Sequence, residues 1–311
     1  MPIPMRPSDA ARHHRPSARF PSARAAFESY LRARHVTSGR TIALPAYIGW
    51  SAREGSGVFD PVAAVGAQPT FYRMTRDLQI DLADLERVLA DRPDVLVLIH
   101  YFGWPDRQVR EALALARAAG VPVMEDEAHA MLSDVVGASC GRDGEAAIFS
   151  SHKMLATMEG GELVANSGMS RALREAAFAG ALSGDQEVNR RDYDLTALAT
   201  VRRANAATLL ELLRGVAGVR PLWPEIPAGV VPQTLPVIIE RVDRDALYHQ
   251  MNAAGFGVTS LYHTMIDELD AKRFPDAHWL SRHIMNLPVH QDVTPAELPA
   301  MVSTLGRLVA A

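Results

Sequence analysis

Short apolar runs that alternate with helix-patterned stretches constrain this chain more than any other feature. The runs are 41–45 (TIALP), 68–72 (QPTFY), 95–99 (VLVLI), 121–124 (VPVM), 146–149 (AAIF) and 162–165 (ELVA). Each is strand-sized, and helical patterns lie between them, notably at 81–90 and 107–119. Strand, helix, strand with short connections predicts an α/β fold on a mostly parallel sheet covered on both faces. Gly103-Trp104-Pro105 and Ala119-Gly120 punctuate the two ends of a crossover helix. A second regime begins near Arg190, where 197–216 (ALATVRRANAATLLELLRGV) reads as one long helix. A strand at 235–239, a helix at 244–254 and a final helix at 295–310 follow. The expected division is a flexible arm over 1–19, a large domain over 20–216 and a smaller C-terminal α/β domain over 217–311.

A chain of 311 residues, 48% of them hydrophobic, can bury a sizeable core. Its net charge of -4 is spread over interleaved acids and bases, which speaks against nucleic acid or an anionic membrane surface as partners. The apolar runs are far too short to cross a bilayer. Cys140 is the single cysteine, so an internal disulfide framework and a cysteine-based zinc knuckle are excluded, and no metal ligands are expected. The first residues (MPIPMRPSDAARHHRPSAR) are rich in Pro and Arg and lack the apolar stretch of a secretory signal. They read as a loose arm of a cytoplasmic protein, with His13 and His14 as ordinary tail residues.

Positive charge is carried almost wholly by arginine, and the chain holds two lysines. Lys272 sits in a polar run, Asp270-Ala271-Lys272-Arg273, where a solvated helix face explains it. Lys153 stands instead just after a predicted strand, with Phe149, Met154 and Leu155 nearby, a setting that suits an amine partly withdrawn from water. Ser150-Ser151-His152-Lys153 matches the S-x-x-K of penicillin-binding serine hydrolases, but that chemistry also needs a K-T-G-like partner, which the sequence lacks. The other chemistry for such a lysine is imine formation with an aldehyde cofactor, where a lowered pKa frees the amine near neutrality.

Pyridoxal phosphate makes further demands. Its ring nitrogen stays protonated against a carboxylate, and Glu125-Asp126-Glu127 ends the predicted strand at 121–124. Alternation along an extended chain end lets only one of these acids point into a cleft, and the pattern does not choose among them. Its phosphate wants backbone N–H groups and a hydroxyl at a helix N-terminus, which Phe20-Pro21-Ser22-Ala23-Arg24 can offer.

These segments carry a family resemblance. EDEAH at 125–129, FSSHK at 149–153 and MEGGELVANS at 158–167 resemble, in order and separation, the signature stretches of the DegT-type sugar aminotransferases, fold type I pyridoxal-phosphate enzymes. Leu44-Pro45-Ala46-Tyr47, Gly66-Ala67-Gln68-Pro69 and His100-Tyr101-Phe102-Gly103 are similar to upstream segments of that family, and the likeness continues weakly through Leu261-Tyr262-His263 and Asn286-Leu287-Pro288-Val289-His290. The resemblance implies that Lys153 is the Schiff-base lysine and proton-moving base, and that Asp126 pairs with the pyridinium nitrogen. It puts His129 beside the cofactor, Ser22, Ala23 and Arg24 at a phosphate turn, and the Ser150 hydroxyl on the phosphate.

The sequence also departs from that family. The chain is short, mostly between Gly184 and Arg202, where relatives carry a helical insertion with an asparagine that reaches the partner subunit's phosphate; Asn189 is the nearby candidate. Ala23 replaces a turn glycine. The 45–61 stretch (PAYIGWSAREGSGVFDP) is long, and either Tyr47 or Trp50 is a candidate to stack on the ring. Arg53 and His263 are candidates for substrate contact.

The reading implied is a cytoplasmic homodimer with active sites at the subunit interface. It would move an amino group from glutamate or glutamine to a keto or aldehyde acceptor, such as a nucleotide-linked ketosugar or an intermediate of specialised metabolism. Elimination, dehydration or decarboxylation on the same cofactor is the alternative, as is a non-catalytic cofactor-binding partner protein. Lysine at 153 argues against the dehydratase branch of the family, which has histidine there.

Overall fold

The computed structural model describes residues 15–157, 160–182 and 193–311. The chain runs β1 (Ser17–Phe20), α1 (Ala23–Ala33), β2 (Thr41–Pro45), α2 (Phe59–Ala64), β3 (Gln68–Tyr72), α3 (Leu82–Ala90), β4 (Val95–Ile99) and α4 (Val109–Ala119). It continues through β5 (Val123–Glu127), α5 (Met131–Val135), β6 (Ala146–Ser150), β7 (Gly161–Ala165), α6 (Arg171–Phe178) and α7 (Leu195–Leu212). Last come β8 (Val219–Pro221), β9 (Thr234–Ile239), α8 (Arg244–Ala253), α9 (Pro275–His283), β10 (Ile284–Pro288) and α10 (Glu297–Ala310).

The larger sheet has the order β1-β7-β6-β5-β4-β2-β3. Strands β3, β2, β4, β5 and β6 are parallel, and β7 runs antiparallel to β6 and β1. All five residues of β4 are buried, as expected of a strand covered on both faces, and its side chains need no alternation of polarity. Helices dock through one apolar side: α4 buries Ala112, Leu113 and Ala116, and Gly120, with φ 71°, closes it in a left-handed cap. The smaller sheet, β10-β9-β8, is antiparallel, and its buried strands join the same continuous apolar core. No helix among the described residues is long and apolar enough to cross a membrane.

Two expectations need correction. The strand expected at 121–124 lies at Val123–Glu127, so all three acids belong to the strand itself. Parallel pairing with β4 and β6 continues through Ile99↔Asp126 and Glu127↔Phe149, which carries the carboxylates into the interior. The arm expected over 1–19 is also tied down at its inner end. Ser17–Phe20 pairs with β7, and the Arg15 guanidinium bonds Asp134, the Gly141 carbonyl and, at 2.9 Å, the Asn166 side-chain oxygen.

Helix α7 crosses behind the site and begins at Asp194, whose carboxylate accepts the Ala197 N–H at 2.9 Å. Losing this cap removes the partner of an otherwise unpaired helical donor. Asp194→Ala is expected to cost about 1 kcal/mol of stability, read as a lower urea midpoint with an unchanged slope.

Candidate active site

A cleft of about 520 Å³ opens at the carboxyl edge of the parallel strands, where open α/β sheets bind ligands. Strand β5 delivers Asp126 and, just beyond it, His129; β6 delivers Ser150 and then the tight turn Ser151–Lys153. The start of α1 brings Ser22, Ala23 and Arg24, while Ile48 to Ser51, Glu54 to Val58 and Ser260 to His263 form most of the remaining walls.

Alternation along β5 decides among the three acids. Asp126 faces the cleft, whereas Glu125 and Glu127 face the opposite side of the sheet. One Asp126 carboxylate oxygen accepts the Ala128 N–H at 2.8 Å. Burial pushes its pKa up, and the Ala128 N–H, Lys153 and His100 oppose that push. A cation opposite this carboxylate would therefore be held strongly.

The protonation of Lys153 can be read from its partners. The Phe102 N–H donates to His129 Nδ1 at 3.3 Å, so that nitrogen keeps its lone pair. Burial, the larger cause of a His129 pKa held well down, favours a neutral ring, whose proton then sits on Nε2. Nε2 lies 3.0 Å from Lys153 Nζ, and a donor there requires a neutral amine as acceptor. Lys153 as a residue is exposed to the cleft, while its amine end is closely surrounded by protein. That enclosure lowers the amine pKa against the pull of Asp126 and Glu54, less than it would for a lysine wholly in the core.

The phosphate end is built by close backbone approach. Ser22 caps α1 by accepting the Ala25 N–H at 3.2 Å, and the Ala23 and Arg24 N–H groups belong to the unpaired first turn. Strand β7 begins against this turn: a Cβ on Gly161 would stand 2.1 Å from the Ser22 carbonyl oxygen, and one on Gly160 would stand 2.6 Å from His152 Nδ1. The glycine pair after the lysine is thus what lets β7, α1 and the lysine turn meet. Behind that turn the buried Arg202 donates to the Met154 carbonyl at 3.4 Å and to Gln291 at 3.0 Å.

Of the residues singled out in the sequence, Ser22, Ala23, Arg24, Trp50, Asp126, His129, Ser150, Lys153 and His263 line this one cleft. Tyr47 does not: it is fully buried, packed on Tyr101 and Tyr262 at ring distances of 5.6 and 5.2 Å. Trp50 is the candidate of the pair that lies in the wall, 45% exposed. Arg53 is exposed and stands outside the lining, because the Ser51↔Gly55 bridge turns the loop tip outward and presents Glu54 instead. Asn189 lies outside the described residues.

Sequence reasoning missed His152 and above all Tyr262, whose ring sits 6.2 Å from that of His129. Tyr262 has φ 63°, unusual for a tyrosine, and its ring occupies the space where a Gly49 side chain would be. The available signal was Gly49 itself, a glycine between Ile48 and Trp50 with no turn partner.

The residues fit a phosphorylated aldehyde: an amine with a free lone pair, a buried carboxylate for a ring cation, and N–H donors at a helix start. Gly161→Ala would force β7 away from α1 and is expected to weaken pyridoxal phosphate binding at least about tenfold, or 1.4 kcal/mol, in a fluorescence titration. Wild-type affinity in that variant would show that the close approach is dispensable.

Comparison with known proteins bears on the fold and the family. An aminotransferase, TlmJ from Streptoalloteichus hindustanus, superposes with a TM-score of 0.76 at 20% identity, covering 94% of this chain and 85% of that one. 3-amino-5-hydroxybenzoic acid synthase gives 0.78 at 19% identity, covering 97% and 88%. Spr1654 from Streptococcus pneumoniae in its PLP-form gives 0.75 at 15% identity, covering 94% and 87%. At these identities the likenesses show the fold, that of the fold type I enzymes. The model of the DegT/DnrJ/EryC1/StrS aminotransferase family matches residues 13–187 and 193–306, so the chain belongs to that family and is a pyridoxal-phosphate-dependent aminotransferase.

Proposed function

We propose that this enzyme transfers an amino group from glutamate or glutamine to a keto or aldehyde acceptor, a nucleotide-linked ketosugar or an intermediate of specialised metabolism. The observation that carries the reading is the His129 Nε2 to Lys153 Nζ contact of 3.0 Å in the cleft that also holds Asp126. Family membership supports the reaction class, and the presence of 3-amino-5-hydroxybenzoic acid synthase among the structural neighbours supports acceptors beyond sugars.

When bound, pyridoxal phosphate supplies an aldehyde for amines to condense with and a ring that takes up the electron pair left by a departing Cα proton. The chain's own residues do the rest. Lys153 presents an unprotonated Nζ, first as nucleophile and then as the base that accepts and returns that proton. His129 orients Nζ by donating to it, and the Phe102 N–H fixes the tautomer that makes this possible. Asp126 would keep the ring nitrogen protonated, and the Ala128 N–H keeps that carboxylate aimed. Ser22, Ser150 and the first turn of α1 would hold the phosphate, and Trp50, Tyr262 and His263, which line the same cleft, would meet the ring or the substrate.

In this reading 20–216 is the cofactor-holding domain and 217–311 the smaller domain that brings Tyr262 and His263 to the cleft. The open side of the cleft, next to the exposed Trp50, suits completion by a second copy in a cytoplasmic homodimer.

The test is a single half-reaction. Holoenzyme mixed with L-glutamate, without acceptor, is expected to release about one 2-oxoglutarate per site, the stoichiometry of a two-step transfer. Lys153→Ala should release none. Because the amine pKa is lowered, the neutral form persists to lower pH than for a free lysine, so cofactor loading should rise with pH through an inflection below ~10.4. Ammonia or carbon dioxide as the product, instead of 2-oxoglutarate, would replace transamination with elimination or decarboxylation.

A further inference from the structure

Behind the cleft, on the face of β5 away from Asp126, lies a second cluster that amine transfer does not use. It joins His100 after β4, Glu125 and Glu127 on β5, and Cys140 in the loop before β6, all of them buried. A ring nitrogen of His100, a Glu127 oxygen and Cys140 Sγ lie within 4.8 Å of one another. Neither Glu127 oxygen and not His100 Nδ1 has a hydrogen-bond partner among the described residues, although Glu127 is 0% and His100 1% exposed. Buried polar atoms left this way are costly unless something fills the space between them.

We propose that His100 Nδ1, Glu127 and Cys140 Sγ bind one divalent ion of the zinc class, a structural site that braces the strand presenting Asp126.

The donor set fits such an ion. Imidazole nitrogen, thiolate sulfur and carboxylate oxygen together are the ligands of a borderline-soft cation, and the two anionic donors balance its charge. Binding sends the Cys140 thiol proton to solvent, and the Glu127 carboxyl proton with it where one is held. Glu125 supplies the outer support: it accepts from His100 Nε2 at 2.9 Å and is itself fixed by the Gly141 and Gly144 N–H groups at 2.8 and 2.7 Å. A proton on Nε2 leaves Nδ1, which has no hydrogen-bond partner among the described residues, with its lone pair free, the tautomer that binding a metal through Nδ1 needs. Gly141, at φ 76°, makes room: a Cβ there would stand 1.6 Å from Glu127 Oε1 and 2.7 Å from an Asp134 oxygen. Asp134 flanks the site and is held by Arg15 and by Arg142, the latter at 3.2 Å.

The competing arrangement is a proton shared between the Glu127 and Asp134 carboxyls with no ion. It settles the acids but leaves His100 Nδ1 unpaired and gives Cys140 no role. The link to the active site is short, since Glu127 adjoins Asp126 and the His100 N–H donates to the Asp126 carbonyl at 3.0 Å.

The test uses the full-length holoenzyme, stripped with a chelator and dialysed against Zn²⁺ or Co²⁺. Elemental analysis should return about one metal per chain, and the Co²⁺ form should show a thiolate-to-cobalt charge-transfer band. As Cys140 is the only cysteine, that band reports on this site alone, whatever else binds at His13 and His14. Zn²⁺ should raise the melting temperature of the stripped protein. Cys140→Ser should lose the band and the thermal response, and Glu127→Gln should weaken Co²⁺ binding about tenfold or more. Absence of the thiolate band at saturating Co²⁺, or metal content unchanged in Cys140→Ser, would overturn the site. If either variant fails to fold, the wild-type band and thermal response still decide.

Discussion

The alternation of side chains along β5 is the constraint on which the rest depends. A strand end buried on both faces carries three consecutive acids, and the period of two sends Asp126 one way and Glu125 and Glu127 the other. Toward the cleft, a single carboxylate meets Lys153 and His129. Away from it, Glu125 is satisfied by His100 and the Gly141 and Gly144 N–H groups, while neither Glu127 oxygen has a hydrogen-bond partner among the described residues. A one-residue slip in the pairing of β5 with β4 and β6 would put two acids in the cleft and leave one behind. Register is therefore a chemical property of this site as well as a structural one.

The same economy appears around Lys153. Its amine ends a chain of contacts that starts at a backbone group: Phe102 N–H to His129 Nδ1, then His129 Nε2 to Lys153 Nζ. Phe102 has φ 58°, a strained value for a phenylalanine, and that strain aims its N–H at the histidine. Arg202 holds the turn from behind, and burial brings its own pKa down to about 10. The lysine is placed by backbone geometry on one side and a buried arginine on the other.

The sequence made the sheet legible because apolar runs of strand length alternated with amphipathic helices, and Ser22 and Gly120 marked helix ends where the caps indeed form. Lys153 stood out because the chain avoids lysine. The choice among Glu125, Asp126 and Glu127 could not be made from spacing, since it depends on where the strand ends, and β5 runs three residues farther than its apolar run. That Tyr47 and Arg53 lie outside the cleft lining was hidden for a related reason: the Ser51↔Gly55 bridge and the Trp50 N–H to Thr264 carbonyl bond, at 3.0 Å, set the loop in a way that only its distant partner dictates. The cluster of His100, Glu127 and Cys140 escaped notice because metal-ligand motifs are recognised by short spacings, and these donors meet only through the sheet.

The most direct test of the central claim uses the fact that only two lysines exist. Holoenzyme reduced with borohydride, digested and mapped by mass spectrometry traps whichever amine carries the cofactor. The structure predicts a stable pyridoxyl adduct on the peptide containing Lys153 and an unmodified Lys272. An adduct on Lys272 or on the chain's amino terminus, or no adduct at all, would contradict the assignment of this cleft.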